Sequence, residues 1–208
     1  MTPADATVAL DGRPLGKRGA LTRRRLLNAT GHLLETNGLR DLRVVDIARE
    51  VGTSQATFYQ YFRDVPEAVL ALAEEVGEQT APLRDLLEQP WRGSDGLELA
   101  RALVDGFLLY WDQHRAILRT RNLAAQEGDQ RFRDVRNRSL EPLTEAIAAQ
   151  VAAASPEGLA PYAAAAALVA MMERMAAFHV DLEPYGVSRA DVVETTARIL
   201  HQTVSSAR

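Results

Sequence analysis

The most informative feature of this sequence is the helical spacing of its apolar residues, which runs from about residue 22 to residue 204. Apolar residues recur at steps of three and four, and no run of β-branched residues alternates with polar ones as a surface strand would. Asn-Gly, Pro and Gly residues divide the pattern into segments. These interruptions predict about nine helices, over residues 22–36, 44–50, 54–61, 66–88, 95–113, 115–126, 129–154, 161–180 and 189–204. We therefore expect an all-α protein.

The composition excludes several kinds of functional site. The chain has 208 residues and no cysteine, which rules out disulfides, cysteine catalysis, iron–sulfur clusters and thiolate zinc sites. Its four histidines lack metal-ligand spacing, and neither a phosphate-binding Gly-rich loop nor a G-x-S-x-G motif is present. We expect no cofactor, no metal and no enzymatic activity.

Neither a secretory signal nor a membrane span is expected. The N-terminus is polar and lacks an apolar stretch of the secretory type. The most apolar region, residues 160–180, is interrupted by Glu173, Arg174 and His179, so it lacks the roughly 20 continuous apolar residues that a bilayer requires. We expect a cytoplasmic protein without a membrane partner.

The charge is distributed unevenly along the chain. Residues 13–63 contain ten basic and four acidic residues, a net charge of +6, whereas residues 64–208 carry −8 and the whole chain carries −4. This asymmetry favours contact with a polyanion at one end of the protein. The alternative is a solvated basic face that has no partner.

Two short predicted helices joined by a glycine, 44–50 and 54–61, have the arrangement of a helix-turn-helix. Phe58 and Phe62 are four residues apart and therefore share one face of the second helix. The opposite face carries small and uncharged polar residues, Gln55, Ala56, Tyr59 and Gln60. Glutamine can pair with adenine and alanine can contact a thymine methyl in the major groove. The alternative is an ordinary helical hairpin.

Residues 45–62, VDIAREVGTSQATFYQYF, resemble the DNA-binding signature of the TetR family of one-component transcriptional regulators. The resemblance covers about residues 20–75, and the positions that carry it are Asp46, Ile47, Ala48, Gly52, Ser54, Thr57, Phe58, Tyr59, Phe62 and residues 67–70. Residues 172–174 also resemble the actinobacterial members related to the ethionamide-resistance repressor. Residues 1–19 are rich in Pro and Gly and lack an apolar pattern, which predicts a flexible basic arm. The resemblance implies a helix-turn-helix domain (20–66) and a helical domain for effector binding and dimerisation (67–208).

The resemblance also implies roles for individual residues in DNA binding. Base edges and sugars would be contacted by Gln55, Ala56, Tyr59 and Gln60. Thr57 and Tyr61 would bind phosphates, and Ser54 would cap the recognition helix near a phosphate.

Two positions depart from the family pattern. Val65 stands where a phosphate-binding Lys is usual, and Arg43 stands where the first helix usually has a Ser or Thr cap. We expect Arg43 to replace the missing phosphate contact, which leaves the cap to Asp41 or to water.

A cluster of basic residues precedes the helix-turn-helix: Lys17, Arg18, Arg23, Arg24 and Arg25. These residues are expected to reach the DNA backbone or the minor groove, as N-terminal arms do in other proteins. The alternative is an unstructured tail with incidental arginines.

In the family, the C-terminal helices enclose a ligand pocket and the last two helices pair with a second subunit. The residues expected to line the pocket are Phe107, Tyr110, Trp111, Leu118, Asn122, Met171, Met172, Met175 and Phe178, with Asn122 and His179 as polar groups. The residues expected at the dimer interface are Ala166, Val192, Thr196, Ile199, Leu200 and Thr203. The alternatives are that the first set is plain core and that the second packs inward.

These observations predict a ligand-responsive transcriptional repressor. It would bind a pseudo-palindromic operator in double-stranded DNA as a homodimer and be released by an apolar small molecule. One alternative is an all-helical carrier or enzyme whose helix-turn-helix is incidental. Another is an activator or nucleoid-associated protein with the same fold.

Overall fold

A computed structural model describes residues 10, 12–89, 91, 93–154 and 158–205 of the chain. These residues form nine α-helices and one 3₁₀ helix, which confirms the all-α prediction. The helices are α1 (Lys17–Leu34), α2 (Val44–Val51), α3 (Gln55–Tyr59), α4 (Val65–Glu78), α5 (Ala81–Leu87), α6 (Gly93–Gln126), α7 (Gln130–Ala154), α8 (Pro161–Phe178) and α9 (Arg189–Val204). The 3₁₀ helix, His179–Tyr185, lies between α8 and α9.

The flexible arm predicted over residues 1–19 is wrong at its C-terminal end. α1 begins at Lys17, directly after Gly16 in an extended conformation, so residues 17–19 are helical. A glycine inside a helix, here Gly19, costs only about 1 kcal/mol, which the packing of the rest of α1 can offset. Residues 1–9 and 11 of the predicted arm lie outside the described residues.

Two further helix boundaries differ from the prediction. The single helix predicted over 66–88 is divided into α4 and α5, because Pro82 lacks the N–H that would continue the helical hydrogen bonds. The helices predicted over 95–113 and 115–126 are joined in α6. The break predicted between them is instead a kink at His114, whose backbone angles are non-helical (φ −122°, ψ 19°).

The chain divides into two compact units. The N-terminal unit comprises the described residues up to 75 together with residues 116–135. Its core is formed by apolar side chains from α1 to α4 and from the 116–135 segment, including Leu26, Leu27, Ile47, Phe58, Phe62, Val69, Ala124 and Phe132. This unit is larger than the predicted 20–66 domain, since the helix-turn-helix shares its core with helices distant in sequence.

The C-terminal unit comprises residues 76–115 and the described residues from 136 onward. Large apolar side chains from α6 to α9 are buried in it, including Leu103, Phe107, Trp111, Leu143, Ile147, Met172, Val192 and Leu200. α9 begins with a capping box, in which Ser188 and Asp191 satisfy each other's backbone N–H groups. α8 packs against α9.

The segment Pro161–Tyr185 is long and apolar enough to cross a membrane by length and composition alone, with a mean hydropathy of 1.3 in its most apolar window. This corrects the sequence-based expectation that its charged residues disqualify it. The core helix of a helical bundle has the same composition. One face of α8 is buried through Ala165, Leu168, Val169 and Met172, which favours a bundle helix.

Candidate nucleic-acid interface

The turn between α2 and α3 depends on Gly52. Its backbone is left-handed (φ 70°, ψ 40°), and its N–H donates to the Arg49 carbonyl at 3.0 Å. The N–H of Thr53 donates to the Ala48 carbonyl at 2.9 Å. This pair of bonds is the Schellman motif, which ends a helix and reverses the chain, and glycine adopts its left-handed position without strain.

Ser54 caps the start of α3, as predicted. Its Oγ accepts a hydrogen bond from the Thr57 N–H at 3.2 Å, and the two hydroxyl groups are 3.0 Å apart. Phe58 is fully buried behind α3, with its ring 5.4 Å from that of Phe62. Cap and buried ring together hold a helix of only five residues, which is too short to be stable alone.

The outer face of α3 carries the four side chains predicted to read bases. Gln55, Ala56, Tyr59 and Gln60 are all exposed, and together we call them the reading face. Half of the Tyr59 surface is exposed, although large aromatic side chains are usually buried. The reading face therefore presents hydrogen-bonding and small apolar groups to solvent from a rigidly held helix.

The residues predicted to bind phosphates differ in how exposed their side chains are. Thr57 and Tyr61 are half-buried, and Tyr61 packs against the core of the N-terminal unit. Arg43 is exposed at the N-cap of α2, where no side chain caps the helix, so Asp41 does not supply the missing cap.

In the 13–63 segment, no described carboxylate pairs with Lys17 or Arg18 in the first turn of α1 or with Arg43 before α2, and all three are exposed. Arg25 is exposed too, and it donates to a backbone carbonyl, that of Val51. Other cations of the basic segment are paired: Arg40 with Glu127, Arg49 with Asp46, and Arg63 with Glu67. The net charge of +6 therefore overstates the cationic charge available to a polyanion.

Arg23 and Arg24 are paired as well. Arg24 donates to both carboxylate oxygens of Glu75, at 2.5 and 3.2 Å, and the Arg23 guanidinium lies 3.9 Å from the same carboxylate. Burial lowers the pKa of Arg23 from its ordinary value, which Glu75 partly offsets. Arg23 and Arg24 are therefore not part of a free arm, because both lie in α1 and share one carboxylate, which neutralises part of their charge.

A groove of about 370 Å³ opens beside α2 in the same unit, lined by Leu33, Asn37, Asp41, Leu42, Asp46, Arg49 and Glu50. Its three carboxylates make it unsuited to a phosphate. In the lining of the groove, Glu50 accepts a 2.7 Å hydrogen bond from His32, which raises the pKa of that histidine.

The residues predicted to line a ligand pocket do not all belong to one unit. Phe107, Tyr110, Trp111 and Met172 are buried in the C-terminal unit, where the Phe107 and Tyr110 rings are 6.0 Å apart, and Met171 and Met175 are half-buried. Leu118 and Asn122 belong to the N-terminal unit. Asn122 accepts a 3.0 Å hydrogen bond from Arg121, a fully buried arginine that sequence reasoning missed.

Phe178 and His179 both have partners within the C-terminal unit. Phe178 is exposed, and the Arg174 guanidinium stacks on its ring at 3.8 Å from the centroid. His179 is buried but already bonded: its Nε2 lies 2.9 Å from the Asp112 carboxylate and 3.2 Å from the Arg115 guanidinium. Burial raises the pKa of Asp112, but the hydrogen bonds from His179 and Arg115 outweigh it, so the pKa is lowered.

A second buried charge in the C-terminal unit also has a partner. Glu173 of α8 is buried and pairs with Arg136 of α7. No local sequence signal marks this pair, because its partners are on different helices. Among the described residues, no group of three or more His, Cys, Asp or Glu side chains is arranged to hold a metal ion.

The predicted dimer interface is only partly exposed. Val192, Thr196 and Leu200 are buried within the chain, so the prediction is wrong for these residues. The α9 stripe is wider than a single contact face, and its central residues pack inward. Ala166 and Ile199 are exposed and Thr203 is half-exposed, which leaves these three residues available to a partner.

The fold and the α2–Gly52–α3 geometry define a helix-turn-helix protein with a second, helical unit. Residues 26–64 match the sequence family of bacterial regulatory proteins, tetR family. Residues 83–208 match the family of tetracyclin repressor-like C-terminal domains. The second match alone covers more than half of the chain. The protein belongs to the TetR family.

Individual relatives agree with this membership. The HTH-type transcriptional regulator EthR from Mycobacterium tuberculosis is 32% identical over 95 residues, which are 45% of this chain and 44% of EthR. The chain thus spans less than half the length of the curated relatives it matches. Membership in the family rests on the two domain matches, and EthR adds a named regulator among the relatives.

Solved structures share the fold at low identity. The transcriptional regulator FadR from Bacillus subtilis, in complex with stearoyl-CoA, has a TM-score of 0.66 and 15% identity, covering 89% of this chain and 99% of that chain. A TetR-like transcriptional regulator from Rhodococcus sp. RHA1 has a TM-score of 0.63 and 21% identity, covering 91% and 96%. At these identities the likeness concerns the fold.

Proposed function

We propose that this protein is a cytoplasmic transcriptional repressor that binds a pseudo-palindromic DNA operator as a homodimer and is released by an apolar small molecule. The observation that carries the proposal is the reading face, four exposed side chains on a helix that is held from behind by Phe58. Two such helices, one from each protomer, would enter successive major grooves about 34 Å apart. Lys17, Arg18 and Arg43 would contact the backbone phosphates.

The proposed dimer uses the outer sides of α8 and α9. Ala163, Ala166 and Ala170 are exposed at helical spacing on α8, and Ile199 is exposed on α9. Small side chains allow two helices to approach closely, and an exposed Ile supplies apolar area for a two-fold contact. Val192, Thr196 and Leu200 support this surface from within the unit.

The proposed effector is apolar because the interior of the C-terminal unit is aromatic and methionine-rich. Phe107, Tyr110, Trp111 and Met172 are buried there, and flexible methionines adapt readily to apolar ligands. The B. subtilis FadR structure, which shares the fold, contains stearoyl-CoA, a ligand with a long apolar chain. An effector of this kind would act by binding more tightly to a dimer geometry that does not match the operator.

The DNA-binding part is tested by selecting preferred duplexes from a random library and measuring their affinity by fluorescence anisotropy. Gln55→Ala and Tyr59→Ala should each reduce the preference for the selected duplex, by about 1–3 kcal/mol per lost base contact. Gln113→Ala, an exposed glutamine on α6, is the matched control and should leave the affinity unchanged. Absence of any sequence preference in the wild-type protein contradicts the proposal.

The effector part needs a separate measurement. Native mass spectrometry of the purified protein should show a dimer and an adduct of an apolar molecule. Adding the extracted molecule back should release the selected duplex in the anisotropy assay. A monomer, or an adduct that leaves DNA affinity unchanged, contradicts this part of the proposal.

A further inference from the structure

The three consecutive arginines of α1, Arg23, Arg24 and Arg25, point to three different partners around the helix-turn-helix. We call them the arginine cluster. All of the partners lie in the N-terminal unit: Glu75 of α4, the Val51 carbonyl at the end of α2, and the ring of Phe62 after α3. Each contact holds its guanidinium against this unit, although Arg24 and Arg25 are also exposed to solvent.

Arg25 completes the C-terminal cap of α2. The last carbonyls of a helix lack intrahelical partners, and the Schellman bonds at Gly52 satisfy only those of Ala48 and Arg49. The Arg25 Nη2 donates to the Val51 carbonyl at 2.8 Å. A cation at a helix C-terminus also interacts favourably with the helix dipole. The bond therefore attaches the turn that leads into α3 to the side of α1.

Arg23 supports α3 from behind through aromatic rings. Its guanidinium lies 5.1 Å from the centroid of the Phe62 ring, and that ring packs against Phe58, the buried residue of α3. A guanidinium over an aromatic face is attracted by the ring electrons, more strongly where it is partly desolvated. Only a fifth of the Arg23 side chain is exposed, so this contact is shielded from water.

Glu75 holds the first two arginines in place. It accepts two hydrogen bonds from Arg24 and lies 3.9 Å from Arg23, although the chain separates Arg24 from Glu75 by 51 positions. One carboxylate thus neutralises part of the cationic charge and joins α1 to α4.

From these contacts we infer that the arginine cluster positions the recognition helix and makes no contact with DNA. Arg25 fixes the turn, Arg23 supports the aromatic rings behind α3, and Arg24 anchors α1 to Glu75. The inference rests on the proposed DNA-binding function, and it assigns the phosphate contacts of α1 to Lys17 and Arg18 instead. These residues lie in the first turn of the same helix and are exposed.

The salt dependence of DNA binding distinguishes a phosphate contact from a positioning residue. Each phosphate contact contributes about 0.9 to the slope of log affinity against log salt, because it releases condensed counterions. A positioning residue leaves that slope unchanged, but its loss reduces discrimination between the selected duplex and a scrambled one. A residue with only a general structural role affects neither the slope nor the discrimination of the folded protein.

The experiment compares Arg25→Gln and Arg24→Gln with two matched controls that remove an exposed charge from the same helix, Lys17→Gln and Arg18→Gln. Anisotropy titrations use the selected and the scrambled duplex at several salt concentrations. We expect Arg25→Gln to reduce the ratio of the two affinities about three- to tenfold, as for loss of one ordinary hydrogen bond, with the slope unchanged. Lys17→Gln and Arg18→Gln should reduce the slope by about 0.9 and weaken both duplexes equally.

Each outcome of the experiment either supports or overturns the inference. A slope that falls by about 0.9 in Arg25→Gln or Arg24→Gln shows a phosphate contact and overturns it. An unchanged affinity ratio in folded Arg25→Gln also overturns it. If Arg25→Gln does not fold, Arg24→Gln still tests the slope, because an exposed ion pair contributes at most about 1 kcal/mol to stability. A wild-type protein without sequence preference would refute the proposed function itself, which is a different result.

Discussion

Replacing Gly52 by alanine tests the conformational requirement at the centre of the helix-turn-helix. A Cβ added at Gly52 would meet no atom within 4 Å, so the substitution introduces no steric clash. The cost is confined to the left-handed backbone (φ +70°), in which an L-residue is disfavoured by about 1–2 kcal/mol. We therefore expect Gly52→Ala to lower the free energy of unfolding by about 1–2 kcal/mol.

Gly31 is the matched control because it undergoes the same chemical change in a helical backbone. It lies inside α1, and an added Cβ would meet only the Leu72 side chain, at an ordinary distance of 3.7 Å. Alanine is a better helix former than glycine by about 0.5–1 kcal/mol, so Gly31→Ala should raise stability by up to that amount. The two substitutions should thus differ by about 2 kcal/mol and have opposite signs.

The assay is urea unfolding followed by circular dichroism, at one fixed protomer concentration because a dimer's stability depends on concentration. The shift of the midpoint, multiplied by a common slope, gives the change in free energy. Gly52→Asn is a further check, since asparagine tolerates the left-handed region and should cost less than alanine. Equal effects of Gly52→Ala and Gly31→Ala would refute the conformational argument, as would a stabilising Gly52→Ala.

Three single contacts provide the remaining predictions. Ser54→Ala removes the α3 cap and should cost about 1 kcal/mol in urea unfolding, and an unchanged midpoint would contradict the role of the cap. Ile199→Asp places like charges across the proposed two-fold contact and should yield a monomer in light scattering, whereas a persistent dimer would place the interface elsewhere. The hydrogen bond from Arg101, with help from Arg198, lowers the pKa of Glu194 to about 2 from an ordinary 4.5. The resulting stabilisation is present above pH 4.5 and is lost as the pH falls toward 2. In a carboxyl NMR titration, Arg101→Gln should return the pKa toward 4.5, and a pKa that stays near 2 would contradict the pairing.

Local sequence signals predicted the elements that depend on a few neighbouring residues. Gly52 ends α2 and Ser54 caps α3 because each acts through its own backbone angles or through a hydrogen bond three residues away. The structure shows a contact of the same range at the start of α4, where the Asp64 carboxylate accepts a hydrogen bond from the Glu67 N–H. These signals act within one turn of helix, so the residue types at fixed spacing are enough to recognise them.

Signals that were read too broadly produced the errors in helix boundaries. Pro82 lacks a backbone N–H and therefore marks the division between α4 and α5. The apolar spacing continues across this proline, so the spacing alone predicts one helix. α9 shows the same limit, because its apolar stripe by itself does not distinguish residues at a dimer interface from residues that pack inward. Its buried members, Val192 and Leu200, differ from the exposed Ile199 only through what packs against each side.

The chain alone established an all-α protein with a helix-turn-helix near its N-terminus, because periodicity, caps and the glycine turn are properties of neighbouring residues. The tertiary structure determined which charged side chains form ion pairs. Arg24 meets Glu75 across 51 positions, and the 116–135 segment joins the core of the N-terminal unit. A count of arginines indicates a basic surface, but an ion pair depends on which helices pack together. Only the folded chain therefore separates Lys17, Arg18 and Arg43, which have no carboxylate partner among the described residues, from Arg23 and Arg24, which share Glu75.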